Sequence, residues 1–173
     1  MRVERWTFVF IVFTIRPAIQ TDHAAVWDIF HEVVAAGDTY TFDPQISREE
    51  ALTYWFRSDT HTYVAAEDRH VIGTYILKPN QPSGGAHVAN AAFMVPAAAR
   101  AKGIGRAMAE HCLSEARRLG FRAMQFNFVV STNTSAIHLW EQLGFKIVGT
   151  LPGAFQHPQK GYVDVYVMYR SLL

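Results

Sequence analysis

At 173 residues, half of them hydrophobic and 18% charged, the chain can bury a sizeable core and is too apolar to stay disordered. A formal net charge of +1 excludes the global basic field that nucleic-acid binding relies on, so any basic function must be local. The single cysteine, Cys112, excludes an internal disulfide and a cysteine-rich metal site; it fits a reducing, cytoplasmic setting with no metal.

The first decision concerns the apolar run Trp6 to Ile15, preceded by Arg2 and Arg5. It loosely resembles a secretory leader, but Arg16-Pro17 follows instead of a small-residue cleavage site. It also falls short of the ~20 residues that a membrane-spanning helix needs. Its β-branched and aromatic content predicts a first strand, with residues 1–13 an extension or part of that strand. The whole chain, 1–173, is expected to form a single domain.

Asp22 is placed to cap a helix over His23 to Ala36, with Val26, Ile29, Phe30 and Val33 on one face and Gly37 as its stop. The segment Asp38 to Pro44 reads as a loop, and Ser47 with Glu50 forms a capping box that opens a second helix. Thr62–Ala66 and Val71–Leu77 predict a hairpin around Asp68. His87 to Val95 is a further strand, broken by Pro96. Ile104, Met108 and Cys112 recur every four residues in a helix that Gly120 ends. Arg122 to Val130 reads as a strand with Met124, Phe126 and Phe128 on one face and Gln125, Asn127 and Val129 on the other. Asn133 to Leu143 is a helix closed by Gly144-Phe145. Lys146–Gly149 and Tyr162–Arg170 are the last strands, joined by a loop rich in proline and glycine. This order predicts a mixed α/β sheet flanked by helices, not a regular βαβ alternation.

Between the strand ending at Val95 and the helix opening at Ile104 lies a basic, glycine-containing turn: Arg100-Ala101-Lys102-Gly103-Ile104-Gly105-Arg106. A helix N-terminus presents unpaired N–H groups and the positive end of the helix dipole, and glycines let a phosphate come close. The competing reading is a tight strand-to-helix turn with solvated basic side chains. Neither a Walker motif nor the dinucleotide-binding fingerprint is present.

These residues carry a resemblance. The stretch Arg100 to Gly105 is similar to the Arg/Gln-x-x-Gly-x-Gly/Ala signature of the GNAT acetyltransferases. Asn133, Ala136, Leu139, Trp140, Gly144 and Phe145 resemble that family's second block, with Trp140 where many relatives have tyrosine. The resemblance implies the GNAT fold, a central mixed sheet splayed between its fourth and fifth strands and flanked by about four helices. It implies acetyl-CoA as cosubstrate, with the pyrophosphate on the amides of Arg100, Ala101, Lys102, Gly103, Ile104, Gly105 and Arg106. The pantetheine arm would follow Met94 and Val95 and meet Asn133, Ser135 and Trp140. Blocks around Asn90, Asn127, Asn133 and Asp164 further resemble a branch of the family that acts on azetidine-2-carboxylate and other proline analogues. That likeness implies Asn90, Asn127 and Asn133 as the residues holding the substrate and the reacting acetyl group.

The residues bear on the same question independently. Asn90 and Asn127 sit inside apolar strands, where an unpartnered amide costs about 1–3 kcal/mol. Each either bonds backbone where the strands part or binds a small polar substrate. Backbone N–H groups near Val95 are candidates for the oxyanion, and the Asn133 amide for the departing thiolate. Asp38, Tyr40 and His87 are candidates for the acceptor wall or the base, and each has a purely structural alternative. Asp164 in the last strand needs a partner, either an ion pair or a substrate amine. His31, His111 and His138 lack metal-ligand spacing, and Cys112 reads as buried and inert. The expected activity is acetyl transfer to a small amine, an amino acid or a toxic analogue. A peptide N-terminus, an antibiotic amine and a coenzyme-binding module without catalysis are the alternatives. The apolar N-terminal run suggests a homodimer; no membrane or nucleic-acid partner is expected.

Overall fold

The computed structural model describes residues 13–173. Along the chain come β1 (Thr14–Pro17), α1 (His23–Ala35), α2 (Arg48–Trp55), β2 (His61–Glu67), β3 (His70–Pro79), β4 (Val88–Met94), α3 (Ile104–Arg118), β5 (Ala123–Val130), α4 (Thr134–Gln142), β6 (Lys146–His157) and β7 (Gly161–Ser171). The strands form one sheet in the order β1-β2-β3-β4-β5-β7-β6. Among the described residues only the central β4–β5 pair is parallel. The order of strands and helices, and the mixed sheet, are those expected from the sequence.

Strand alternation sends successive side chains to opposite faces, and a core forms on each. On one face Met108, Cys112 and Ala116 of α3 pack against Tyr75, Leu77, Met124 and Met168. On the other, Val26, Phe30 and Trp55 of α1 and α2 pack against Val64, Ile76 and Met94. α2 opens with the expected capping box, in which the Ser47 hydroxyl accepts from the Glu50 N–H at 3.2 Å and the Glu50 carboxylate accepts from the Ser47 N–H at 3.1 Å.

Four expectations need correction. Asp22 precedes α1 but does not cap it. Its carboxylate is held bidentately by Arg16 at 2.7 and 2.9 Å and accepts the Ile19 N–H at 2.8 Å. The paired guanidinium holds Asp22 below the usual carboxylate range. Asn133 is the cap of α4 and not its first helical residue, its Oδ1 accepting from the Ala136 N–H at 3.3 Å. The alternation along β5 breaks at a bulge between Phe126 and Val129, so Val129 is buried and Phe128 exposed. The expected loop after Gly149 is strand as far as His157, and the register shift between Leu151 and Phe155 absorbs Pro152 and Gly153. As an edge strand, β6 tolerates both residues. Asp164, opposite, has no ion partner among the described residues and accepts the Gly153 N–H at 2.9 Å. Of the apolar run Trp6–Ile15, only Thr14 and Ile15 fall in β1, and residues 1–12 lie outside those described, as does the dimer expectation built on them.

Candidate active site

The site begins where β4 and β5 stop pairing. Their ladder holds only Val88 with Ala123 and Ala89 with Met124. At the next residue the Asn90 amide bridges the opening, its Nδ2 donating to the Gln125 carbonyl at 2.8 Å. Beyond it the strands part. Phe93, further along the free edge, has both backbone groups bound by Tyr40: its N–H donates to the hydroxyl at 3.1 Å, and the hydroxyl donates to its C=O at 2.7 Å. Burial pushes the Tyr40 phenol well above its ordinary range, so it stays protonated.

Past Met94 the chain turns through Pro96 and a short 3-10 segment, whose Ala97 N–H is capped by the Glu32 carboxylate at 2.7 Å. Ala101 (φ 60°) and Gly103 (φ 79°) are both left-handed. Such turns gather successive N–H groups into an anion-binding concavity, and a left-handed alanine stores strain that clusters at functional sites. α3 starts directly after Gly103 with no side-chain cap. A Cβ added to Gly103 or Gly105 would meet nothing within 4 Å. An uncapped helix start, basic flanks and open space over two glycines fit a diphosphate.

The glycine turn and the splayed edge open into one cavity of about 900 Å³. Arg100, Ala101, Gly103, Ile104, Gly105 and Arg106 line it at the α3 end, and Val95 lies between the turn and the splay. Asn133, Ser135 and Trp140 come from α4, and Asn90, Asn127, Tyr40 and Asp38 complete the lining among the expected residues. Three expected residues are not brought to it. Met94 points its side chain into the α1–α2 core and is 1% exposed. Lys102 is exposed and outside the lining. His87 is exposed ahead of β4, its carbonyl accepting the Arg122 N–H at 2.9 Å.

Several partners are already taken. Asn127 accepts from Gln125 Nε2 at 2.8 Å and donates to Asn80 Oδ1 at 2.7 Å, a chain of amides whose orientations fix one another. The Asn133 Oδ1 is occupied as a helix cap and also accepts from the Ser135 hydroxyl at 3.2 Å, which leaves its Nδ2 as the group available to a ligand. Trp140 packs on Phe126 and Phe93 at ring separations of 4.6 and 5.1 Å.

Sequence reasoning missed His157. It is 8% exposed, lines the cavity, and its Nδ1 accepts the Gln159 N–H at 3.1 Å. That bond assigns the imidazole proton to Nε2, making the ring a donor. The only signal was a histidine in a segment read as loop. The hairpin tip after His157 folds against the loop before Tyr40: a Cβ built on Gly37 would sit 3.9 Å from Pro158 Cγ. Thr39, Thr41, Phe42 and Tyr54 also line the cavity on this side.

A mixed sheet opened between two parallel strands, above an uncapped glycine-rich helix start, defines an acyltransferase of the kind that uses a coenzyme A thioester. The profile of the Acetyltransferase (GNAT) family matches residues 18–145, and the chain belongs to that family. Among curated proteins it is 33% identical to N-acetyltransferase aca1 of Schizosaccharomyces pombe over 151 residues, covering 78% of this chain and 72% of that one. It is 27% identical to a putative phosphinothricin acetyltransferase, YwnH, of Bacillus subtilis over 164 residues, covering 92% and 99%. A solved GCN5-related N-acetyltransferase from Kribbella flavida superposes with a TM-score of 0.89 at 46% identity, covering 92% of this chain and 97% of that one.

Proposed function

We propose that the chain moves the acetyl group of acetyl-CoA to the amine of a small molecule, an amino acid or an amino-acid analogue. The observation that carries this reading is the continuity of one cavity from the helix start at Gly103 to a wall of short polar side chains around Asp38, Asn90 and His157. The acetyl-CoA-bound structures of YncA from Salmonella typhimurium and of a phosphinothricin acetyltransferase from Sinorhizobium meliloti share the fold, at 24% and 23% identity, and are compatible with it.

When bound, the coenzyme supplies the activated acetyl group. The amides of Ala101 to Arg106 hold its diphosphate, with Arg100 and Arg106 as countercharge. The β4 edge at Phe93 and Val95 offers N–H groups to the thioester carbonyl and to the oxyanion that forms on it. Asn133 Nδ2 stabilises the thiolate; an ordinary thiol ionises near ~8.5, so full proton transfer is unnecessary. Asp38, directly or through one water, takes the amine proton, and His157 Nε2 orients the acceptor.

Two features favour a small acceptor over a peptide. The Gly37 loop touches the hairpin tip at Pro158, next to Asp38 and His157, which both line the cavity and bound it on that side. Lys78 is half-buried directly opposite Asn90 on the neighbouring strand, 3.4 Å from the Tyr54 hydroxyl, with no carboxylate partner among the described residues. Lys78 does not itself line the cavity, but it adjoins Tyr54 and Asn90, which do, and we assign it as countercharge to an acceptor carboxylate. Among the described residues no helix is long and apolar enough to cross a membrane, and a cytoplasmic setting with a reduced, buried Cys112 belongs to the same proposal.

The test is thiol release from acetyl-CoA across proline analogues, amino acids, methionine sulfoximine, phosphinothricin, aminoglycosides and peptides, with product masses. Turnover on the amino acids or their analogues is expected. Turnover confined to peptides or aminoglycosides would overturn the acceptor assignment, and coenzyme binding without turnover on any amine would overturn catalysis.

A further inference from the structure

The free edge of β4 carries backbone groups that must be paired by something other than β5, because the two strands no longer pair beyond Ala89. At Phe93 the partner is one hydroxyl from outside the sheet. Tyr40 reaches in from the α1–α2 loop, accepts the Phe93 N–H at 3.1 Å and donates to the Phe93 carbonyl at 2.7 Å. No other side-chain oxygen bonds the backbone of β4 among the described residues. Tyr40 lines the same cavity as the glycine turn, and its ring is fixed against Phe42 at 6.1 Å.

Resting on the coenzyme assignment above, we propose that the Tyr40 hydroxyl is a placeholder for the acetyl carbonyl: it occupies the Phe93 N–H in the free protein and is displaced when acetyl-CoA, but not coenzyme A, binds. A single N–H at normal hydrogen-bond length serves one acceptor well. The hydroxyl oxygen and a thioester oxygen laid along this edge therefore compete for it. Free coenzyme A has a thiol and no carbonyl at that point, so it leaves Tyr40 in place. The displaced hydroxyl then faces the acceptor side, between Asp38 and Phe42, so acetyl-CoA binding completes the acceptor wall.

Two other roles fit the same residue and predict different results. A packing pillar would support both coenzyme forms alike. A proton donor to the thiolate would act on kcat and not on affinity; here the hydroxyl proton is directed into the Phe93 carbonyl.

Calorimetric titration of wild type and Tyr40→Phe with acetyl-CoA and with coenzyme A, in the absence of acceptor, separates these. Removing the competing hydroxyl should tighten acetyl-CoA binding about threefold to tenfold, the scale of one neutral hydrogen bond, and leave coenzyme A within about twofold. Equal shifts for both forms, or acetyl-CoA binding that is unchanged or weaker, would overturn the placeholder role while leaving the coenzyme assignment intact. No heat with either form on wild type would remove both. Should Tyr40→Phe fold poorly, 13C-labelled tyrosine in the wild-type protein gives a second readout. The Tyr40 Cζ resonance should shift with acetyl-CoA and stay in place with coenzyme A; identical spectra in the two complexes would refute displacement.

Discussion

Gly103→Ala tests the phosphate turn in a way that separates ligand from fold. Gly103 sits at φ 79°, where an L side chain costs about 1–2 kcal/mol. An added methyl meets no protein atom within 4 Å, so backbone strain is the whole folding cost. For a chain of this length that cost corresponds to a fall of roughly 2–8 °C in Tm. Gly120, just beyond the far end of the same helix, is a matched control: its φ is 86° and its Cβ would also meet nothing. The two alanine variants should therefore lose similar stability. Only Gly103→Ala places a methyl in the concavity proposed for the diphosphate, and it should weaken acetyl-CoA at least tenfold, about 1.4 kcal/mol. Calorimetry with acetyl-CoA beside differential scanning of both variants reads the two effects separately. Unchanged affinity in Gly103→Ala, or an equal loss in Gly120→Ala, would refute the placement of the diphosphate.

Three further outcomes follow from the same geometry. Asn133→Asp keeps an oxygen for the Ala136 cap and replaces the Nδ2 group. It should hold Tm within about 1–2 °C while kcat falls at least tenfold, whereas Asn133→Ala should also lose about 0.5–2 kcal/mol of stability from the missing cap, measured by denaturant unfolding. Glu115, bonded by Arg118 and by the Tyr63 hydroxyl, titrates down at about 2, below the ordinary glutamate value. A lowered carboxyl stabilises the fold above its unfolded-state value and loses that contribution as pH falls toward 2. The Tm gap between wild type and Glu115→Gln should therefore narrow between about pH 5 and pH 3; a gap that stays constant would contradict it. Lys78→Met should raise KM for an amino-acid acceptor while leaving the corresponding amide nearly unaffected in the same thiol-release assay. An equal effect on both would remove Lys78 from the acceptor site.

What could be read from the sequence was what neighbouring residues decide among themselves. The Ser47–Glu50 box, the Gly144-Phe145 stop and the glycine turn are short-range patterns, and each is realised. The Gly144 and Phe145 N–H groups bond the carbonyls of Glu141 and Trp140, as a glycine-ended helix requires. What escaped depends on contacts far along the chain. Asp22 had the local form of a cap, but Arg16, six residues earlier, offers a charged bidentate partner, stronger than a neutral amide, and the Ile19 N–H takes a further bond. The run after Gly149 has loop composition, yet β7 pairs with it and Asp164 bonds the amide where it kinks. His157 reaches the cavity only because that strand continues. Of the two readings of Asn90 the structural one is seen, its Nδ2 bonding strand backbone where the strands part; the residue also lines the cavity, and its substrate role stays a proposal.

The splay that makes the site falls beside an irregularity in β5, to which we attribute it. Between Phe126 and Val129 the strand carries one residue more than β7 opposite it. A bulge of this kind bends its strand and increases the local twist, here just past the last β4–β5 pair at Met124. The bend turns Phe128 out to line the cavity and keeps Phe126 and Val129 in the α3–α4 core. Asn90 bridges the first step of the opening, and Tyr40 covers the β4 edge beyond it. Polar groups exposed by the parting strands are thus met by these two side chains. The bulge is the element on which the geometry rests. Deleting Phe128 would restore period-two alternation along β5 and bring Val129 into its place. The edge of β4 should then pair further with β5, and hydrogen exchange at Ala91 and Phe93 should slow as coenzyme binding is lost. A deletion variant that folds, keeps those amides exchanging as in wild type and still binds acetyl-CoA would show that the strands part for another reason.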